Sequence, residues 1–364
     1  MKLSFSFVAL SCLLASSLSA DMSTNIKKAF TDGKVSGDIV LYGEQQNNSG
    51  INNDSGFTMG SIGLGYETID YNGLKVSLAF RGNHDFSEIE DGDYNNIDQP
   101  TAILHTANIS YTNKYITLIL GRQEIDLEWM EDFHEAYVGV INAIPDTTIT
   151  LGHTDRIAVA DIDAPLEKFS KINGSNGANV LDLKYEGIKN LALNTYYYNV
   201  PDIADWYGIK IDYNTDMFGG TIHYAGSDED VSTTDNGSIL AAEVRSSFNK
   251  FDLNLGYIST DKDAGIGSMD TVGDNINPLE DGNQVYQSDA NTMYLGVGYK
   301  LDKLALNAMY GRTKYNSDNE NEINIGAEYG INDDFSVGAI FINVDAENSD
   351  DDYNKLSFTA NYTF

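Results

Sequence analysis

Apolar and polar residues alternate along most of this chain in runs of about ten residues, and the last run shows the pattern most clearly. From Tyr353 to Phe364, Leu356, Phe358, Ala360, Tyr362 and Phe364 fall on one face and Lys355, Ser357, Thr359, Asn361 and Thr363 on the other. That period of two marks a strand between two different environments. Lipid suits the apolar face and a watery lumen the polar one, while closure of the sheet hides the edge that hydrocarbon cannot satisfy. The alternative is the last strand of a soluble sandwich.

The same alternation predicts eighteen strands, near residues 34–43, 57–69, 73–85, 102–112, 115–123, 134–143, 146–156, 179–187, 190–199, 203–213, 216–226, 237–248, 251–261, 291–300, 303–313, 321–330, 334–346 and 352–364. The stretches 134–156 and 190–213 are the weakest, so sixteen strands stay open. Short turn sequences such as Asp70–Gly73, Thr112–Lys114, Gly187–Asn190 and Ile331–Asp333 join the runs on one side. Uneven connections rich in Asp, Asn, Gly and Ser, such as Ser87–Gln99, Ile157–Gly177, Ser227–Asn236 and Asp261–Asn291, join them on the other. This asymmetry is that of an all-β, transmembrane antiparallel β-barrel with short periplasmic turns and long outer loops. A barrel of this size encloses an aqueous channel, and its last strand must seal against the first, around Lys34–Gly43.

Residues 1–20 read as a secretory signal, with Lys2 at the positive start, an apolar Phe5–Leu14 and a small-residue exit at Leu18, Ser19 and Ala20. Residues 21–364 then form one barrel domain, in which Met22–Asp32 is at most a short periplasmic helix before the first strand. The only cysteine, Cys12, falls within the signal, so the exported chain carries no disulfide. No later stretch approaches the roughly 18 apolar residues of a membrane helix. A hydrophobic content of 41% fits strands that are half lipid-facing and half wet. Twenty-three tyrosines against five prolines favour aromatic girdles and long paired strands. The formal charge of -33 excludes nucleic acid as a partner. The expected location is the outer membrane of a Gram-negative bacterium, among its lipid and lipopolysaccharide.

Parity separates wall from lumen. Leu74, Val76, Leu78 and Phe80 facing lipid turn Lys75, Ser77, Ala79 and Arg81 inward; Asp182, Lys184, Lys210, Asp212, Glu243 and Arg245 also fall inward. A charge at the bilayer midplane costs about 2–4 kcal/mol, so this segregation is required of a barrel. The five arginines, Arg81, Arg122, Arg156, Arg245 and Arg312, lie within or at the ends of expected strands. They offer a basic wall for anionic groups. Local pairing with acids such as Glu243 or Asp155 is the alternative, and a one-residue bulge would switch the face of Arg122 or Arg312.

Gly121–Glu135, GRQEIDLEWMEDFHE, is acidic and carries Trp129, one of two tryptophans. Together with Gly33–Asp38 of the first strand and the aromatic terminal strand, its Gly121, Arg122, Gln123 and Glu124 resemble the Opr, or OprD-like, outer-membrane porins; these motifs are short, while the general plan covers nearly the whole chain. The resemblance implies an eighteen-stranded porin whose third long loop folds into the pore and faces a basic wall. It implies that Glu124, Asp126, Glu128, Glu131 and Asp132 lie at the constriction. It also implies that the closing strand, with Phe358, Tyr362 and Phe364, is read by the insertion machinery. Val40 departs from the pattern, at an inward position where such porins often carry a base. That shortened ladder puts anion or carboxylate selectivity in doubt.

Passive diffusion of ions and small hydrophilic solutes, selected by a charged constriction, is the expected function. Cation or anion preference, the favoured solute and monomer or homotrimer stay open. The second class is an outer-membrane barrel acting through its loops, as an adhesin or a lipid hydrolase. For the latter, His153 beside Thr154 is the nearest approach to a catalytic pair. The acidic runs Glu88–Asp98, Asp228–Asp230 and Asp345–Asp352 read as solvated loops, and whether they hold divalent cations is undecided. The five histidines lack metal-ligand spacing. No catalytic residue, metal or cofactor is expected.

Overall fold

The structure, a computed structural model, describes residues 25–94 and 99–364. The expected signal, Met1–Ala20, lies outside the described residues, as do residues 95–98 of one acidic run. A short helix, α1 (Ile26–Thr31), precedes the barrel, capped by the Asn25 side chain, which accepts from the Lys28 amide at 2.8 Å.

Among the described residues nineteen strands follow: β1 (Lys34–Asn48), β2 (Ser55–Glu67), β3 (Leu74–Glu88), β4 (Ala102–Thr112), β5 (Ile116–Glu124), β6 (Phe133–Ile141), β7 (Thr147–Ala158), β8 (Ser170–Lys171), β9 (Ala178–Ile188), β10 (Leu191–Val200), β11 (Ala204–Asn214), β12 (Phe218–Glu229), β13 (Ser238–Phe248), β14 (Phe251–Thr260), β15 (Asn291–Leu301), β16 (Leu304–Tyr315), β17 (Asp318–Gly330), β18 (Phe335–Asp345) and β19 (Tyr353–Thr363). Eighteen close an antiparallel ring, in which β7 pairs directly with β9. The two-residue β8 pairs only with Arg156 and Ile157 of β7 and stands outside the ring. The sixteen-strand alternative is therefore excluded, since both weak stretches form ladders, the first with a register shift between Glu135 and Ala136. Several strands outrun their expected limits; β1 reaches Asn48 and β17 begins at Asp318. Beyond the membrane both faces are polar, so the ladder continues where the alternation fades.

The seam is an uninterrupted ladder from Asp38 opposite Thr363 to Asn48 opposite Tyr353. Gly37 and Phe364 exchange two backbone bonds of 2.9 Å below it. A Cβ on Gly37 would stand 2.6 Å from the Phe364 ring, so glycine leaves room for the terminal aromatic side chain.

Leu78, Phe80, Leu240, Val244, Leu356 and Phe358 are exposed on the outer face. Arg81, Asp182, Ser357 and Asn361 are buried on the inner one. Seen as an isolated surface those apolar residues are anomalous, and hydrocarbon removes the anomaly. The tight turns use left-handed Asn and Asp, among them Asn190 (φ 65°), Asn249 (φ 56°) and Asp302 (φ 49°). On the outer rim, the connections between β10 and β11 and between β16 and β17 are also short, while 125–132, 159–177 and 261–290 reach inward.

Candidate functional site

The third outer connection is a rigid hairpin tip. Ile125 donates to the Asp132 carbonyl at 2.9 Å, and Leu127 and Met130 bond reciprocally, which leaves Glu128 and Trp129 as the turn residues. Both are driven into the opposite wall. Trp129 is fully buried and donates to the Tyr196 hydroxyl at 2.9 Å, which lies 2.7 Å from His223 Nε2. Glu128 accepts from Lys210 Nζ at 2.5 Å, with His223 Nδ1 3.7 Å from its second oxygen.

A second inward element is the connection 261–290 between β14 and β15. Its Ile266, Met269, Val272, Ile276, Leu279 and Val285 are all buried. They join Trp129 and Met130 in one apolar cluster with inner-face residues of β9 to β16, including Val180, Tyr198, Trp206, Ile239, Ile258 and Met309. One side of the lumen is thus filled by a hydrophobic core, contrary to a simple wet tube. The two connections are stitched together. Glu131 donates its amide to Val272 at 3.0 Å and accepts from the Asp274 amide at 3.1 Å; Asn275 donates to Asp126 and to the Leu127 carbonyl, both at 2.9 Å. Below them opens a chamber of about 650 Å³ lined by charges of both signs, including Asp182, Lys184, Asp212, Glu243 and Arg245.

A third inward element is the connection 159–177. Asn83, on the inner face of β3, donates to the carbonyls of Asp161 and Ala164 at 3.1 and 2.8 Å. This brings Asp161 and Asp163 within the field of Arg81. Burial and the neighbouring Asp161 push Asp163 up to about 6. Burial, then Asp161, Glu131, Glu167 and Glu124, push Asp132 up to about 7. Asp161 and Asp163 still touch water; the enclosure that raises them is that of a narrow lumen.

The arginines do not share one wall. Arg81 is inward, forked onto Asp38 at 2.7 and 2.8 Å and bonded to Ser61. Arg245 is inward too, 2.8 Å from Glu243 and 3.7 Å from Asp212. Arg122 and Arg156 converge on Glu135, at 2.7 and 3.5 Å. Their cross-strand row lies on the face opposite Gln123 and Ala136, at the point where the β4–β5 ladder ends, and Phe133 on that face packs against the cluster of Ile103, the cross-strand partner of Arg81. Phe169 covers the row, its ring 4.2 Å from the Arg122 guanidinium. Arg312 stands opposite the exposed Met293, on the outer face. Of the five hairpin acids, Asp126, Glu128 and Glu131 serve as stitches and anchors, whereas Glu124 and Asp132 turn their charge towards Asp161. Val40 is inward and buried.

His153 and Thr154 part company: the imidazole stacks on Tyr137 while Thr154 bonds His134 at 2.9 Å. Among the described residues, no group of three or more His, Cys, Asp or Glu is placed to hold a metal. The sequence reading passed over Asp161, Asp163, Asp281 and Glu322. Six large apolar residues within an otherwise polar 261–290 were the available signal that this connection is buried.

A closed ring of this width, lipid-facing outside and narrowed by inward connections, defines an outer-membrane diffusion channel. The family model for Gram-negative porins matches residues 7–364, and the chain belongs to that family. It is an outer-membrane porin for small solutes. Comparison with curated protein sequences finds no match. Among solved structures, OccAB4 of Acinetobacter baumannii is similar at 14% identity and TM-score 0.76, over 91% of this chain and 98% of that one. OccK3 (OpdO) of Pseudomonas aeruginosa is similar at 13% and 0.76, over 93% and 97%. OpdK of the same organism, solved with vanillate, is similar at 12% and 0.75, over 91% and 98%. These likenesses show that the fold is the OprD-like one.

Proposed function

We propose that solutes cross passively, with no chemical step, through the part of the lumen that the inward connections leave free, on the side of β19 and β1. The observation that carries this reading is the uneven core: its main cluster lies against β9 to β16, and only small clusters, such as Tyr42, Phe57, Met59 and Tyr94, cover the other walls. Trp129 and the 261–290 connection pack against β9 to β16, whereas the Arg81–Asp38 wall faces charged, water-touching Asp161 and Asp163. Acids on one edge of such a gap, facing a neutralised Arg81–Asp38 pair on the other, set a transverse field that orients polar solutes.

The balance over the inner surface as a whole is acidic. Arg81 is matched by Asp38, Lys210 by Glu128, Arg245 by Glu243 and Lys355 by Asp281. Glu124, Asp132, Asp161 and Asp163 add charge of one sign, so cations are favoured. The outer band meets lipid and lipopolysaccharide, or a neighbouring copy in a homotrimer. The terminal strand ending at Phe364 is the segment that the insertion machinery recognises.

The route is tested with single cysteines, Thr359→Cys on the inner face of β19 and Asn194→Cys in the chamber, each exposed to a charged thiol reagent in a planar bilayer. Modification at 359 is expected to cut the conductance strongly and at 194 only weakly. The reverse order would refute the route.

A further inference from the structure

The tip of the 261–290 connection is held differently from the rest of it. Leu279 and Val285 are buried in the apolar cluster, and the residues between them reach β17 and β19 through polar contacts. The successive amides of Glu280, Asp281 and Gly282 point at the wall: Glu280 donates to Asn324 at 3.4 Å, and Asp281 and Gly282 donate to the two oxygens of Glu322 at 3.1 and 2.7 Å. Gly282 is left-handed (φ 54°), which curls these amides into a concavity suited to an anion. Glu322 is almost fully buried, and its carboxylate also accepts from Asn324 at 2.7 Å. Alongside, the Asp281 carboxylate binds Lys355 and accepts from Tyr353 at 2.7 Å, while Asn283 donates to Tyr353 at 2.9 Å.

We propose that Glu280–Asn283 is a releasable latch that sets both the aperture and the charge of the porin. Fastened, it holds the connection against β17 and β19 and cancels Lys355, the only base in β19. Released, it widens the passage and bares that lysine to passing anions. Leu279 and Val285 serve as pivots, so the tip can leave its polar seat without unpacking the core. Segments with few buried apolar contacts are those that open at low free energy. The proposal rests on the channel reading above and adds the residues that regulate it.

The test compares single-channel recordings of the wild type with D281N, K355M and E322Q in a salt gradient. All three variants are expected to raise the unitary conductance or to add a larger open level. D281N and K355M should move the reversal potential in opposite directions, the first towards anions because it frees Lys355, the second towards cations. E322Q should open the channel with the smallest shift, since the Asp281–Lys355 pair stays intact. Locking the seat with D281C/K355C under oxidation should suppress the larger level, and reduction should restore it. A conducting wild type whose D281N and K355M variants keep its conductance and reversal potential would overturn the latch alone. A wild type without conductance would overturn both the latch and the channel.

Discussion

Among single residues, Asp132 shows how the inward connections convert position into charge. It occupies a left-handed conformation (φ 73°) where the hairpin tip rejoins β6, and its burial beside Asp161, Glu131, Glu167 and Glu124 pushes its carboxyl up to about 7. A raised acid is neutral below its own pKa and charged above it, so the lumen gains negative charge between about pH 5 and 8. Cation preference is expected to rise over that interval, and D132N should remove the upper part of the rise; a flat profile of reversal potential against pH would contradict this. The sequence shows these acids but not their partners. Glu128 looks like any acid of the GRQEIDLEWMEDFHE run, yet it alone reaches Lys210. Arg122 shares the parity of Leu118 and Leu120, but the neighbouring Gly121 is also what a bulge would use, so its face needed the cross-strand register with Glu135.

At the scale of elements, the strands were legible and the connections were not. Period-two alternation over eighteen runs, with turn residues between them, specifies ladders that each confirm their neighbours. Whether a loop lies outside or inside a barrel depends on contacts with distant strands, which local pattern does not carry. The 125–132 hairpin is anchored by Trp129 beneath Tyr196 and against the apolar face of the 261–290 connection. Replacing a buried tryptophan by alanine costs about 3–5 kcal/mol. In W129A that loss falls on docking of the tip, while the wall ladders remain. The expected result is a barrel that still inserts and keeps its strand content by circular dichroism, with higher and noisier conductance. An unchanged current trace would show that the hairpin does not narrow the passage.

For the whole molecule, closure and filling act together. The β1–β19 ladder abolishes the open edge, so lipid meets only side chains, and the interior is free to hold polar groups and water. Much of that interior is spent on a core against β9 to β16 that fixes two connections in place, and a small cluster of Tyr42, Phe57, Met59 and Tyr94 covers β1 and β2; among the charges, Arg81, Lys210, Arg245 and Lys355 are each tied to an acid and further acids are left over. The formal charge of -33 already pointed to this sign, but composition cannot tell a lumen acid from an outer-loop acid. The placement of Asp161, Asp163, Glu124 and Asp132 about the Arg81 side supplies that distinction. The central claim is that these acids, and not the arginines, set selectivity. Its most direct test is the reversal potential of the purified porin in a planar bilayer under a neutral-pH salt gradient. The structure leads to a cation-selective potential, and an anion-selective one would contradict it.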